Sequence, residues 1–218
     1  MTGQGSPTRA RLSPQERRRQ LVGIGLRKFV ERPVQELSLD EVAAEAGVSR
    51  GLLFHYFPTK TAYHQAVVAA AGRRVLRTVA PDPDTTGELA LRQVIDRFIA
   101  QIQRRRASYL ALVYGQAGPL GDDPGGTATT LRSGIADLVC RTLASPDHRP
   151  DRPADDASTS DLPAADYRTA DYRTAHAWVA YVEDRALHLP EDVDPVALDA
   201  EVAHCAAALR ALLAAHRT

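Results

Sequence analysis

An all-α fold of about nine helices, a small N-terminal domain followed by a larger helical body, is predicted by three features of the sequence. Apolar residues recur at helical spacing along most of the chain, and no convincing strand pattern interrupts them. Capping residues, prolines and glycines divide those segments into helix-sized lengths. The 218 residues are 44% hydrophobic and 25% charged, an ordinary globular composition with enough chain to bury a core without a disulfide or metal.

Residues 1–12 are rich in Gly, Ser, Thr and Arg and read as a flexible N-terminal arm. Ser13-Pro14-Gln15-Glu16 starts the first helix: Ser13 caps, Pro14 suits the first turn, and Glu16 completes a capping box. Leu21, Val22, Gly25, Leu26 and Phe29 follow at helical spacing, and Pro33 closes the segment. Ser38-Leu39-Asp40-Glu41 repeats the capping box, with Leu39, Val42, Ala43 and Ala46 as one buried stripe. Gly47 breaks this second helix. Ser49 caps a third, which ends near Phe57-Pro58. Two short helices joined by a tight glycine turn form a helix-turn-helix. Lys60 to about Val79 reads as a long fourth helix behind a Thr59 cap.

Pro81-Asp82-Pro83-Asp84 is a break. Helical patterns resume over residues 86–103 and 105–116, then over 127–143 after a glycine-rich loop. Residues 145–163, dense in Pro, Asp and Ser, read as a loop or disordered insert. The pentapeptide Ala165-Asp-Tyr-Arg-Thr169 is duplicated at 170–174, too short a repeat for a solenoid. Helices over 164–189 and 195–216 finish the chain. The expected organisation is an arm over 1–12, a three-helix helix-turn-helix domain over 13–59, and a larger helical domain over 60–218.

Net charge is zero, yet residues 1–80 hold 13 Lys+Arg against 6 Asp+Glu, and residues 81–218 hold 14 against 21. This split implies a basic end that meets an anion and an acidic body that does not. The longest apolar run, Ala66 to Gly72, falls well short of the about twenty residues that a membrane span needs. A polar N-terminus without a signal core, and only two cysteines, point to the cytoplasm.

The third helix carries the chemistry. Leu53 and Phe57 stand at i, i+4 and face the other helices, whereas Arg50, Gly51, Phe54 and His55 lie on the opposite face. That face offers a cation, an approachable backbone and aromatic tips. An α-helix fits the major groove of B-DNA, and the second helix of a helix-turn-helix does the reading there. From Ser38 to Lys60 the sequence runs Ser-Leu-Asp-Glu-Val-Ala-Ala-Glu-Ala-Gly-Val-Ser-Arg-Gly-Leu-Leu-Phe-His-Tyr-Phe-Pro-Thr-Lys. This stretch resembles the DNA-binding domain of the TetR/AcrR family of transcriptional regulators, over residues 21–68.

The resemblance implies a role for each matching residue. Arg50, Gly51 and Leu52 would face base edges. Phe54, His55 and Tyr56 would lie against the sugar-phosphate backbone or thymine methyls. Lys60 would meet a phosphate and Ser38 could do likewise, with the caps Ser49 and Thr59 completing the DNA-binding set. The family often has Tyr where this chain has Phe54, which lacks the hydroxyl for a phosphate contact. Leu52 is an apolar reader, better suited to a thymine methyl than to a hydrogen bond. The family also implies a homodimer, a palindromic double-stranded DNA site and a small-molecule effector; from the residues themselves no cofactor and no membrane partner is expected.

Other residues make weaker claims. Arg9 and Arg11 would enter a minor groove or remain a solvated tail. Arg17, Arg18 and Arg19 would add phosphate contacts or form a solvated face. Glu201 and His204 have the Glu-x-x-His spacing of di-iron helices, but that site needs a second such motif. Cys140 and Cys205 lack a neighbour that would lower a thiol pKa. Arg104-Arg105-Arg106 reads as a helix junction.

For the helical body, the candidate effector-lining residues are Phe98, Gln101, Tyr109, Tyr114, Trp178 and Tyr181, each of which would equally serve as core. No acidic belt stands out among them, which favours a neutral or anionic apolar effector. The last two helices carry heptad stripes, Ala175, Val179, Val182, Ala186 and Leu189, then Leu198, Val202, Cys205, Leu209 and Leu212. Packed against a second copy these would close a four-helix bundle; facing inward they would belong to the chain's own core. The expected function is therefore a ligand-responsive transcriptional regulator, a repressor released from its operator by a small molecule. A helical enzyme or metal carrier would need a nucleophile motif, a glycine-rich phosphate loop or a paired Glu-x-x-His, and the sequence has none. A constitutive DNA-binding protein whose body only dimerises is the remaining alternative.

Overall fold

A computed structural model describes residues 12–31, 36–113, 126–143 and 170–215, and among these it has nine α-helices and no strand. They are α1 (Pro14–Glu31), α2 (Leu39–Ala46), α3 (Arg50–Tyr56), α4 (Lys60–Val79), α5 (Gly87–Arg104), α6 (Arg106–Val113), α7 (Gly126–Leu143), α8 (Ala170–His188) and α9 (Pro195–Ala215). The all-α expectation holds, and the helix limits fall close to those read from caps and breaks. Expectations for Arg9, Arg11, Tyr114, the 145–163 insert and the first pentapeptide copy lie outside the described residues. No described helix is long and apolar enough to cross a membrane.

The chain divides into two units, Met1–Ala70 and Ala71–Thr218. The division falls inside α4, because Tyr63 and Val67 on its first half pack beside Gly25 of α1. The capping box at Ser13 forms as its residue types require: the Ser13 N–H donates to Glu16 Oε2 at 2.7 Å, and the Glu16 N–H donates to Ser13 Oγ at 3.3 Å. Those bonds hold the Glu16 carboxyl below its usual pKa. The core of this unit is Leu21, Ile24, Phe29, Leu37, Val42, Leu53, Phe57, Tyr63 and Val67. Lys28 bridges α1 to Glu45 of α2 at 3.1 Å, and Arg27 joins the same carboxylate at 2.8 Å.

In the second unit α5 packs against α7, α8 and α9. Its buried residues, Ala90, Leu91, Val94, Ile95, Phe98, Ile99 and Ile102, repeat at three and four residues, so one wide stripe serves all three neighbours. Arg105 (φ −137°, ψ 34°) interrupts the helix between Arg104 and Arg106, so the arginine run is the α5–α6 junction. The Trp178 Nε1–H donates to the Cys205 carbonyl at 2.9 Å and ties α8 to α9. Arg132 donates from α7 to the buried Glu183 at 2.8 Å, and Arg185 forms a two-toothed pair with Glu201, one bond at 2.7 Å.

Candidate nucleic-acid interface

The presentation of α3 begins with its caps. Ser38 (φ −84°, ψ 123°) accepts from the Glu41 N–H and starts α2, and Ser49 (φ −72°, ψ 152°) accepts from the Leu52 N–H and starts α3. Gly47 between them is left-handed at φ 64°, ψ 38°, with its N–H directed to the last turn of α2 and the Val48 N–H bonded to the Ala43 carbonyl at 3.0 Å. That geometry favours glycine because a Cβ is disfavoured at positive φ. Thr59 accepts from the Ala62 N–H at 3.0 Å and starts α4. Leu53 and Phe57 are buried, which leaves Arg50, Gly51, Leu52 and His55 exposed and Phe54 and Tyr56 half-buried.

Arg50 is not adrift on this face. Its Nη1 donates to both oxygens of Asp40, at 2.9 and 2.7 Å, and its guanidinium stands over the Phe54 ring, 5.5 Å from the centroid. Asp40 occupies the first turn of α2, so the pair joins both helices of the motif. A cleft of about 390 Å³ opens beside it, lined by Glu36, Leu37, Ser38, Leu39, Asp40, Arg50, Phe54 and Lys60. The structure thus brings Ser38, Arg50, Phe54 and Lys60 together from α2, α3 and α4. His55 and Tyr56 meet edge to face on the far side of α3, with centroids 5.5 Å apart. Leu52 keeps 39% of its surface exposed, high for a leucine that the core does not need.

Arg17 and Arg18, read from the sequence as phosphate contacts or a solvated face, instead brace the motif, and His64 carried no signal in the sequence. Arg18 donates to the Tyr56 carbonyl at 3.1 Å and lies 4.3 Å over the Phe57 ring. Arg17 reaches Gln20 at 2.7 Å and the Ala46 carbonyl at 3.5 Å. Both guanidiniums thus sit at the C-terminal ends of α3 and α2, where orphan carbonyls favour a cation. His64 is 1% exposed on α4, and among the described residues neither ring nitrogen meets a partner with good hydrogen-bond geometry. Burial and the nearby Lys60 ammonium lower its pKa, against a weaker opposing effect of the Leu37 carbonyl.

The candidates in the second unit are scattered. Phe98 and Tyr109 are buried and pack edge to face at 6.0 Å, and Gln101 is half-buried. Trp178 is buried with its N–H engaged by α9. Tyr181 departs from an interior role: it is 37% exposed, and its hydroxyl meets His204 Nε2 at 2.6 Å on the outer side of α8 and α9. The heptad stripes also turn inward. Ala175, Val179, Val182, Ala186, Val202, Cys205 and Leu209 are all buried within this one chain, as part of its own core. Of the ten, Leu189 and Leu198 are half-buried and Leu212 is exposed. The opposite side of α9 carries Ala197, Ala200, His204, Ala207, Ala211 and Ala214, all exposed at spacings of three and four. Glu201 is engaged by Arg185 and His204 by Tyr181. Burial raises both thiols first of all, Cys140 to about 11 and Cys205 to about 12.

Residues 25–67 match the family model described as bacterial regulatory proteins, tetR family. No curated protein matches the chain. Among solved structures, a putative transcriptional regulator from Pseudomonas aeruginosa PAO1 is similar at a TM-score of 0.63 and 23% identity, covering 95% of this chain and 96% of that one. A tetR-family transcriptional regulator from Streptomyces coelicolor is similar at 0.61 and 24% identity, covering 94% and 85%. A TetR-like transcriptional regulator from Rhodococcus sp. RHA1 is similar at 0.54 and 23% identity, covering 94% and 99%. The chain therefore carries the helix-turn-helix domain of the bacterial tetR-family regulatory proteins within the fold of TetR-type transcriptional regulators.

Proposed function

We propose that this protein is a ligand-responsive transcriptional repressor that grips palindromic operator DNA as a homodimer and releases it when a small molecule binds. The observation that carries the reading is the α3 face itself. Arg50, Gly51, Leu52 and His55 are exposed, and three capped helix starts hold them in place without using those side chains. Arg50 would read a guanine edge, Leu52 a thymine methyl, and Lys60 and Ser38 would meet phosphates.

A second copy would dock on the exposed alanine row of α9, with Tyr181 and Leu212 at its margins. Small side chains let two helices approach closely, and reading a palindrome in successive major grooves would require the two α3 helices of the dimer to lie about one DNA turn apart, roughly 34 Å. The effector, neutral or anionic and largely apolar, would lodge in the helical body beside Phe98 and Tyr109, whose rings pack together at 6.0 Å. A coupling of about 1–3 kcal/mol between the two sites would lower operator affinity 5- to 150-fold.

The test is selection of genomic DNA fragments by the purified full chain, repeated across salt. The expected result is enrichment of a palindrome whose affinity falls steeply as salt rises. Salt-sensitive binding with no sequence preference, or no binding at all, would overturn the reading. An operator affinity that no compound in a broad effector screen changes would remove its ligand-responsive half.

A further inference from the structure

Arg50 is the cation best placed to read a base, yet its nearest charged neighbour is a carboxylate on the same surface. A carboxylate facing DNA repels phosphates. Its presence at 2.7 Å from Arg50, with both groups more than half exposed, calls for a physical account. We infer that Asp40 is a specificity-determining positioning residue, which holds Arg50 for base edges and turns it away from the phosphate backbone. This rests on the proposed reading of α3 as the DNA-recognition helix.

The geometry supplies three reasons. Asp40 engages only Nη1 of the guanidinium, through both carboxylate oxygens. The Nε and Nη2 donors, the edge that a guanine O6 and N7 would meet side by side, take no part in the pair. The Phe54 ring lies under the guanidinium, 5.5 Å from centroid to carbon, so Arg50 is held on two sides. An exposed pair of this kind is weak and exchanges readily, so it orders the side chain without locking it away from DNA. The third reason is the charge. A phosphate approaching Arg50 would also approach Asp40 and be repelled, whereas a base edge carries no net charge and is not. Asp40 thereby weakens contacts common to all sequences more than the contact that distinguishes one.

The experiment uses the full chain as wild type, Asp40→Ala, Asp40→Asn, Arg50→Ala and the Asp40→Ala/Arg50→Ala double variant. Each is measured on the operator selected by the wild type and on an unrelated duplex of equal length, across salt. The expected result is that Asp40→Ala and Asp40→Asn bind the unrelated duplex more tightly, and that their ratio of operator to unrelated affinity drops about tenfold. Their salt slope should steepen by about 0.9, one further phosphate contact. On the Arg50→Ala background, Asp40→Ala should leave the ratio unchanged. A ratio unchanged by Asp40→Ala and Asp40→Asn in folded protein overturns the inference. So does an equal fall on both backgrounds, because Asp40 would then act through α2 and not through Arg50. A wild type without any preferred site is a different failure, seen before any variant is made, and it removes the DNA-recognition reading together with this one.

Discussion

Tyr63, on the second turn of α4, donates its buried hydroxyl to the Leu21 carbonyl in the middle of α1 at 2.9 Å. Burial holds that phenol well above its ordinary pKa, so it stays protonated and donating at any working pH. Its ring also meets Phe57 edge to face, with centroids 5.1 Å apart. One side chain thus joins α4 to α1 and to the end of α3. Tyr63→Phe keeps both ring contacts and removes only the bond. It should cost about 1 kcal/mol of stability, read from urea denaturation of the full chain.

Gly25 faces this contact from α1. A Cβ there would collide with the Tyr63 hydroxyl and with Val67. Gly25→Ala should therefore destabilise the N-terminal unit by about 1–3 kcal/mol, although alanine is the better helix former. Gly23, where a Cβ would meet nothing, is the matched control. Gly23→Ala should be neutral or slightly stabilising; urea denaturation of the two variants beside the wild type checks both.

His64 makes the N-terminal unit sensitive to mild acid. Its folded pKa lies below the unfolded value, chiefly through burial, so the unfolded chain takes up the proton first. Stability should be full above about pH 6.5 and fall as pH drops below that value, levelling once the folded ring is protonated. Glu45, Asp82 and Glu201 have lowered pKa values and lose their contributions only at lower pH, in the carboxylate range. Urea midpoints at pH 7.5 and 5.5 test this. His64→Leu should shrink the difference between them.

Arg50 and Lys60 should separate by the kind of binding they lose. Arg50→Ala should relax sequence preference at one position of each half-site, at a cost of about 1–3 kcal/mol. Lys60→Ala should weaken all sequences alike and flatten the salt dependence by about one ion. Affinities on the operator and on unrelated DNA at two salt concentrations decide between them.

The two thiols should be slow. With Cys205 near 12 and Cys140 near 11, almost no thiolate exists at pH 8. Labelling by a disulfide reagent should be far slower than for a free thiol, and should accelerate on adding urea.

Local chemistry was legible in the sequence. Ser13, Ser38, Ser49 and Thr59 are caps because a short hydroxyl before a helix satisfies a nearby N–H, whatever surrounds it. Gly47 was legible for the same reason. The direction of a stripe was not. Valines and leucines at heptad spacing on α8 and α9 read equally as a seam between copies or as core, and the burial of Val179, Val202 and Leu209 decides for core. The exposed alanine row carries no such signal, since alanine is common in this chain and helix-forming everywhere. Partners far apart in sequence were also out of reach. Nothing in the residues around Arg18 points to the Tyr56 carbonyl, and nothing around Arg50 singles out Asp40 over Glu41.

Gly47 has a consequence for how such a protein can change its target. The angle between α2 and α3 is set by a backbone dihedral and by bonds from Gly47 and Val48 to the carbonyls of Ala43 and Ala44, all formed without any side chain that would touch DNA. The residues that would read bases contribute little to the core, as the exposure of Arg50, Leu52 and His55 indicates. Reading and folding are thus written in separate parts of the same twenty residues or so. On the proposed reading, substitutions at 50, 52 and 55 should redirect the protein to a new operator at almost constant stability, whereas a change at 47 should alter the tilt of the whole helix and misplace every contact at once.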